Sequence, residues 1–310
     1  MKISAIDIGS NTVKISVFDY DGKNLTEVMR KTIPAGLIGH IENGRLTDRG
    51  LEILEDSLKS LGNFASDAGC ERNSIYSFAT ASLRALSDFE DVKTRVLEDV
   101  GYSIELLSGD REAELTFDAL MSSTDCSRGI LLDMGGGSTE VISFSDGKAD
   151  FSVSLPFGAL TLFRMFVKNI LPTADEYKTI FGYSRNMFEK AGFIGGAPLP
   201  LYINGGSGRA LAYLDSVLSG GAESSPTLPY ILTKENLLKI AEGGCECDQL
   251  IKQTLLRILP TRIHTVIPAA AAILSLMDIE GGDKITVTEA AIRASYIKSI
   301  INRKEGINIK

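Results

Sequence analysis

The sequence predicts an α/β protein built from two related domains, each with a mixed sheet flanked by helices. Three observations lead to this prediction. The chain has 310 residues, which is long for a single core and suits two domains. Its apolar residues alternate between the spacing of strands and the spacing of helices. A strand, glycine turn and strand that begin at residue 5 are followed by a second copy that begins near residue 131.

The first half begins with three strands and then alternates between helix and strand. KISAIDI at 2–8 is typical of a buried strand, and 13–20 alternates before an Asp21-Gly22 hairpin turn. A third strand follows near 24–33. Thr47 is suited to cap a helix whose leucines recur at helical spacing. The remaining elements predicted in this half are a strand at 75–79, a helix at 88–99, a strand at 103–107 and a helix at 110–121.

The second half repeats this opening. The predicted elements are a strand at 129–134, a turn at 135–138, a strand at 139–144, a hairpin turn at Asp146-Gly147 and a strand at 148–155. Helices at 158–168 and 174–191, a strand at 201–204 and mostly helix to the end follow. Asp7 and Asp133 stand 126 residues apart at matching places, which indicates duplication of a whole domain. We expect a cleft between the two domains, because ligands favour domain interfaces.

Composition excludes several classes of protein. The four cysteines include only one close pair, at 245 and 247, and no histidine spacing completes a zinc site. Reduced thiols and a cytoplasmic location are therefore expected. The net charge of −8 argues against nonspecific nucleic-acid binding, so an anionic substrate must meet a local positive patch. The longest apolar run, 266–277, is too short to span a bilayer, and the N-terminus lacks the pattern of a signal peptide.

The glycine turns are suited to bind phosphate. A tight turn can aim successive backbone N–H groups at one anion, and glycine lets the backbone approach closely. Neighbouring hydroxyl and amide side chains add donors. The residues predicted to contact phosphate in the two turns are Ser10, Asn11, Thr12, Gly135, Gly136, Gly137, Ser138 and Thr139. The alternative, two ordinary hairpin turns, is weakened because the pattern occurs twice at matching positions.

Two further features support the prediction of a phosphate-binding site. Asp7 and Asp133 end the first strand of each half, where a carboxylate suits Mg²⁺ together with waters and phosphate oxygens. A third glycine segment follows the strand at 201–204 and opens a helix, and a helix N-terminus favours anions. This segment contributes Gly205, Gly206 and Ser207 to the predicted phosphate contacts.

Several motifs, taken in order, resemble one known family. They are AIDIGSNTVKI (5–15), FATASLRAL (78–86), LLSGDREAELTF (106–117), LLDMGGGSTEVI (131–142), SLPFGAL (154–160), NGGSGRALA (204–212) and the segment around Arg262. The sequence is similar to the exopolyphosphatase / guanosine pentaphosphate phosphohydrolase family, in its short two-domain form. That resemblance implies duplicated ribonuclease H-like, actin-like domains, here 1–124 plus 288–310 and 125–287. It also implies that a final helix at 288–302 packs back on the first domain.

The resemblance implies Mg²⁺-dependent cleavage of terminal phosphate from polyphosphate or guanosine pentaphosphate, with a homodimer as the expected assembly and no membrane partner. Glu112 takes the place of the family's catalytic glutamate, which would activate water. Asp133 and Glu140 match the residues linked to the metal, and Arg84 and Arg262 match arginines that contact phosphate. On the residues alone, Glu112 is explained without catalysis, because an acid in the first turn of a helix commonly complements the helix dipole.

This sequence departs from the family at several outer positions. Arg111 precedes Glu112 where the family often has a second glutamate, and His264 replaces a typical aspartate. Near the C-terminus, the family's Arg-Glu-Gly becomes Arg293-Ala294-Ser295. These changes leave open a sensor that binds an alarmone or nucleotide with little turnover. The glycine turns also leave open an ATP-dependent kinase of the same fold, although the glutamate of the SGxREA motif has no place in such an enzyme.

Overall fold

The structure is a computed structural model that describes residues 1–245, 248–289 and 292–305. Its contacts divide the chain into two compact units, Met1–Ser122 with Ala291–Lys310 and Ser123–Ala290. The transitions predicted from the sequence, after 124 and after 287, lie close to these limits. The first unit is therefore built from both ends of the chain, and the second from one continuous segment.

The strands and helices of the described residues are numbered in chain order. The strands are β1 (Lys2–Ile8), β2 (Thr12–Tyr20), β3 (Leu25–Pro34), β4 (Ile41–Glu42), β5 (Arg45–Leu46), β6 (Ile75–Ala79), β7 (Ile104–Leu106), β8 (Arg128–Met134), β9 (Thr139–Ser145), β10 (Lys148–Leu155), β11 (Leu201–Asn204), β12 (Tyr230–Thr233) and β13 (Lys284–Val287). The helices are α1 (Asp48–Asp67), α2 (Ala81–Arg84), α3 (Phe89–Asp99), α4 (Gly109–Ser123), α5 (Ala159–Phe166), α6 (Ala174–Lys190), α7 (Gly205–Leu218), α8 (Lys234–Cys245), α9 (Gln249–Ile258), α10 (Ile263–Glu280) and α11 (Ile292–Glu305).

The first unit contains a five-stranded sheet in the order β3-β2-β1-β6-β7. The three opening strands pair antiparallel, whereas β1, β6 and β7 run parallel, which confirms the predicted mixed sheet. Because successive strand residues point to opposite faces, Ile6 and Ile8 pack with α1 and α3, while Ile3 and Ala5 pack with α4 and α11. The sheet is thus covered by helices on both faces.

The second unit contains a six-stranded sheet in the order β10-β9-β8-β11-β13-β12. Its opening strands β8, β9 and β10 pair antiparallel, and β8, β11 and β13 run parallel, so the arrangement of the first unit is repeated. The prediction of mostly helix after 204 was wrong for 230–233 and 284–287, which form β12 and β13. Of the helix predicted at 288–302, the structure describes α11 from Ile292, whereas Thr288 is not helical and donates its backbone N–H to the carbonyl of Ile203 at 2.8 Å.

Helix α1 begins as predicted. Thr47 caps it by accepting a hydrogen bond from the backbone N–H of Gly50 at 3.1 Å. Leu54, Leu58 and Leu61 then lie on one buried face.

Helix α10 forms the centre of the second unit. It is long and apolar enough to cross a membrane by length and composition, but 78% of its 18-residue window is buried inside the structure. It packs against α5, α6 and α8, and its alanines and leucines belong to the main hydrophobic core. This environment is that of a core helix.

Candidate active site

The two predicted turns have the same local geometry. In the first unit, the backbone N–H of Gly9 donates to the carbonyl of Thr12 at 3.1 Å, and in the second unit Gly135 donates to Ser138 at 3.0 Å. Each turn also receives hydrogen bonds from the segment that follows its three strands. The carbonyl of Asn11 accepts from the N–H of Ala35 and Gly36, and the carbonyl of Gly136 accepts from the start of α5. The duplication seen in the sequence therefore extends to individual hydrogen bonds.

The backbone donors at the two turns remain available within each unit. Among the described residues, the N–H groups of Ser10, Asn11, Gly136 and Gly137 donate no hydrogen bond. Consecutive N–H groups of this kind suit a phosphate oxygen. The phosphate contacts themselves stay predictions, but the donors they require are present.

Thr139 behaves differently from the prediction that it donates to phosphate. It is fully buried, and its hydroxyl donates to the carbonyl of Phe157 at 2.7 Å. The hydroxyl proton is thus committed within the unit, and Thr139 joins β9 to the segment before α5. Ser138 and Ser207 are 5% and 6% exposed, so any contribution from them is made near the protein interior.

Gly158 holds the start of α5 against the second glycine turn. A Cβ atom at this position would lie 2.6 Å from the carbonyl oxygen of Gly135 and 2.6 Å from the carbonyl carbon of Gly136. Only glycine permits this approach of two backbone segments. Sequence reasoning quoted this residue within SLPFGAL and gave it no role.

Asp133 lies in a row of three polar side chains. It pairs with Glu140 across β8 and β9 and with Asn204 across β8 and β11, so all three share one face of the sheet. The amide of Asn204 donates to Oδ2 of Asp133 at 3.3 Å. Gly205 follows with a φ of +92°, and a Cβ there would lie 2.7 Å from Oδ1 of Asp133. The carboxylate of Asp133 is therefore held closely by the start of α7.

The donor set around Asp133 fits Mg²⁺. Glu140 is 2% exposed and accepts a hydrogen bond from the hydroxyl of Ser154 at 2.8 Å. Two carboxylates side by side repel one another, and a divalent cation relieves that repulsion. In the described part of the chain, no group of three or more metal-binding side chains occurs. Mg²⁺ usually takes only one or two protein carboxylates, and waters and phosphates complete its shell.

Asp7, the corresponding residue of the first unit, has cationic surroundings. Lys14 lies opposite it in the register of β1 and β2, at the position that Glu140 holds in the second unit. Arg293 of α11 forms an ion pair with Oδ2 of Asp7 at 3.4 Å and donates to the hydroxyl of Ser16 at 2.7 Å. Arg293 thus partly neutralises this carboxylate and connects it to α11, and the role of Asp7 as a metal ligand stays a prediction.

Glu112 lies in the first turn of α4 and is paired with Arg84. Its backbone N–H donates to the carbonyl of Ser108 at 2.9 Å, which places it just after β7. Nη1 of Arg84 lies 3.0 Å from Oε2 of Glu112 and 2.9 Å from the carbonyl of Leu107. The Glu112 side chain is 12% exposed. The ion pair with Arg84 orients the carboxylate of Glu112, as a general base requires.

Arg262 lies against the start of α7. A Cβ at Gly206 would overlap the guanidinium group of Arg262, so the two are in direct contact. Burial lowers the pKa of Arg262 below its ordinary value, and the positive charge of Arg209 lowers it further. Burial also lowers the pKa of His264, and the charge of Arg262 adds to this; the His264 ring packs edge-on against Phe163. The second unit thus places positive charge beside a helix N-terminus.

Comparisons with known proteins identify the family of the chain. The model of the Ppx/GppA phosphatase family matches residues 26–304.

The chain belongs to the Ppx/GppA phosphatase family.

Named relatives fall into two groups. Exopolyphosphatase 1 of Mycobacterium tuberculosis is 32% identical over 176 residues, which is 56% of this chain and 51% of that protein. Guanosine-5'-triphosphate,3'-diphosphate pyrophosphatase of Aeromonas hydrophila is 25% identical over 306 residues, or 96% of this chain and 59% of that protein. The chain therefore spans between half and three fifths of the length of these relatives.

Solved structures show the same fold. An exopolyphosphatase from Cytophaga hutchinsonii has a TM-score of 0.83 at 19% identity and covers 100% of this chain and 99% of its own. The Ppx/GppA family member of Aquifex aeolicus has a TM-score of 0.79 at 22% identity and covers 98% of each chain. At these identities the likeness establishes the actin-like, two-domain architecture of the family.

Proposed function

We propose that this protein is a Mg²⁺-dependent phosphohydrolase that releases terminal phosphate from inorganic polyphosphate, guanosine pentaphosphate or both. The observation that carries the proposal is the ion pair of Glu112 with Arg84, which holds the largely buried carboxylate of Glu112 in place in the first unit. Family membership and the names of the relatives support the substrate class. The available N–H groups at both turns support a substrate rich in phosphate oxygens.

In the proposed reaction, the carboxylate of Glu112 accepts a proton from water as the water oxygen attacks the terminal phosphorus. A new P–O bond forms, the bridging P–O bond breaks, and the shortened chain leaves as the second product. Arg84 holds one oxygen of Glu112, and backbone N–H groups at the turns stabilise charge on the phosphoryl oxygens. Asp133 and Glu140 would hold Mg²⁺, which supplies positive charge that offsets the charge of the phosphates.

The decisive experiment compares Glu112→Gln with Glu114→Gln. Glu114 stands two residues further along α4, is 60% exposed and pairs with Arg111, so its variant is a matched control. We expect Glu112→Gln to lower phosphate release by about 10²- to 10⁴-fold, because amide nitrogen and oxygen accept a proton poorly. Glu114→Gln should keep the wild-type rate. A Glu112→Gln protein that folds normally and retains full activity would contradict the proposal.

The substrate is assigned by phosphate release from short polyphosphate, long polyphosphate and guanosine pentaphosphate, measured side by side. Tight binding of a guanosine nucleotide without release from any of the three would support a sensor instead. ATP consumption with sugar acceptors would support a kinase. The predicted homodimer is tested separately by light scattering.

The metal assignment is tested with Asp133→Asn and Asp7→Asn. We expect Asp133→Asn to raise the Mg²⁺ concentration for half-maximal rate by at least about tenfold. Asp7→Asn should leave that concentration unchanged, because its carboxylate serves Arg293. An equal rise in both variants would restore Asp7 as a metal ligand.

A further inference from the structure

The row of polar side chains around Asp133 extends across four strands of the second sheet. Ser154 of β10 lies opposite Glu140 of β9, and Glu140 lies opposite Asp133 of β8. Asn204 of β11 completes the row beside Asp133. Residues opposite one another on neighbouring strands point to the same face of a sheet. The row therefore has two carboxylates at its centre and a hydrogen-bond donor at each end.

Each end of the row donates to the carboxylate beside it. The hydroxyl of Ser154 donates to Oε1 of Glu140 at 2.8 Å, and the amide of Asn204 donates to Oδ2 of Asp133 at 3.3 Å. Glu140 and Asn204 are 2% and 4% exposed, so water has little access to replace these bonds. Because each donor engages one oxygen of its carboxylate, it fixes the rotation of that group and thereby the place of the second oxygen.

The same four sheet positions carry different residues in the first unit. In the order of the strands β3, β2, β1 and β6, these residues are Thr32, Lys14, Asp7 and Phe78. Lys14 brings a positive charge where the second unit has a second carboxylate. Phe78 is fully buried and packs against Tyr296, with the ring centroids 4.5 Å apart. The two carboxylates between two donors are thus a property of the second unit and not of the duplicated fold.

We propose that Ser154 and Asn204 are positioning residues that hold Glu140 and Asp133 in the orientation that binds Mg²⁺. The choice of Mg²⁺ as the ligand rests on the proposed function. Hydrogen bonds to the carboxylates that bind a metal set part of its affinity. The sequence assigned no role to Ser154 in SLPFGAL or to Asn204 in NGGSGRALA, because their place beside the carboxylates follows only from strand pairing.

The test is Mn²⁺ binding without substrate, measured for Asn204→Ala and Ser154→Ala. Mn²⁺ suits the same oxygen ligands as Mg²⁺, and electron paramagnetic resonance measures the free ion. We expect the Kd for Mn²⁺ to rise about tenfold to a hundredfold in Asn204→Ala. The rise in Ser154→Ala should be nearer about tenfold, because water can partly replace a hydroxyl that is only partly buried. Circular dichroism gives Tm without metal for each variant.

Two further variants match the change at Ser154. Ser152→Ala removes a hydroxyl from the same face of β10, where it lies opposite Ile142 and not a carboxylate. It should bind Mn²⁺ like the wild type. Ser154→Thr keeps the hydroxyl and should restore the wild-type Kd, which a general loss of packing at this position would not allow. This pair also decides the question for Ser154 should Asn204→Ala not fold.

The outcomes separate this inference from the proposed function. A wild-type Kd in either alanine variant would remove the positioning role of that residue, and a lower Tm with an unchanged Kd would show a structural role alone. Failure of the wild-type protein to bind Mn²⁺ would also overturn the inference. Mn²⁺ binding that depends on both residues, without phosphate release from any substrate, would support the inference and contradict the hydrolase. Phosphate release by the wild type, with an unchanged Kd in both alanine variants, would do the reverse.

Discussion

Replacement of Gly158 by alanine tests whether the second glycine turn is held by the start of α5. The added Cβ would lie 2.6 Å from backbone atoms of Gly135 and Gly136, and ordinary contacts begin at 3.4 Å. The two segments must therefore separate by about 0.8 Å, and neither can swing aside because the atoms in contact belong to the backbone. The backbone angles at Gly158 (φ −140°, ψ −177°) suit alanine, so strain arises from the contact alone.

The expected cost is modest in stability and larger in activity. Overpacking lowers the free energy of unfolding by about 1–3 kcal/mol. Alanine raises it by about 0.4–1 kcal/mol, because alanine restricts the unfolded chain more than glycine does. A net loss of about 1–2 kcal/mol lowers Tm by about 2–8 °C for a unit of this size. Displacing the N–H groups of Gly136 and Gly137 by a sizeable fraction of an ångström should reduce kcat by at least about tenfold.

The assay is urea unfolding combined with phosphate release, with Gly182→Ala as the control. Gly182 lies within α6, and a Cβ there would meet nothing within 4 Å. That variant should be more stable by about 0.5–1 kcal/mol and keep full activity. Wild-type stability and wild-type kcat in Gly158→Ala would refute the argument that this backbone contact positions the turn.

Three more predictions follow from individual contacts. Arg293→Met should destabilise the first unit by about 1–3 kcal/mol in urea unfolding, because Asp7 loses its partner, and the loss should shrink in the double variant with Asp7→Asn. In His264→Gln, Tm should fall less on acidification than in the wild type. Burial lowers the pKa of His264 in the folded state below 6.5, so the neutral ring stabilises the fold at neutral pH, and this stabilisation is lost as the pH falls below 6.5. An equal fall of Tm in wild type and variant would contradict this prediction. Tyr230→Phe should cost about 1–3 kcal/mol in thermal unfolding, because buried Asp215 loses a hydrogen bond of 2.7 Å; an unchanged Tm would show that this bond contributes nothing.

The sequence predicted the parts of the fold that are set by local pattern. The apolar runs predicted the three antiparallel strands that begin each unit, and Thr47 predicted the start of α1. Both predictions were possible because strand alternation and helix capping depend on neighbouring residues. The sequence did not predict β12 and β13, which have four residues each and lie between longer helical stretches. A run of four apolar or β-branched residues fits a helix and a strand equally well, and only pairing across the sheet decides between them.

The site was predicted unevenly for a similar reason. The sequence placed Glu112, Asp133 and the glycine turns through spacing and motif. It could not show that Arg293 lies beside Asp7, since these residues are separated by nearly the whole chain. It also could not show that the hydroxyl of Thr139 points to Phe157. Those contacts depend on which face of a strand a side chain occupies and on what packs there.

The return of α11 to the first unit has a consequence for synthesis of the protein on the ribosome. Tyr296, Ile297 and Ile300 fill the core on the face of β1 that carries Ile3 and Ala5. Before α11 is translated, that face can be covered only in part, by α4, whereas the second unit emerges as one uninterrupted segment. The first unit is therefore completed only after the second has been made, and part of its apolar sheet stays exposed in the nascent chain until α11 arrives.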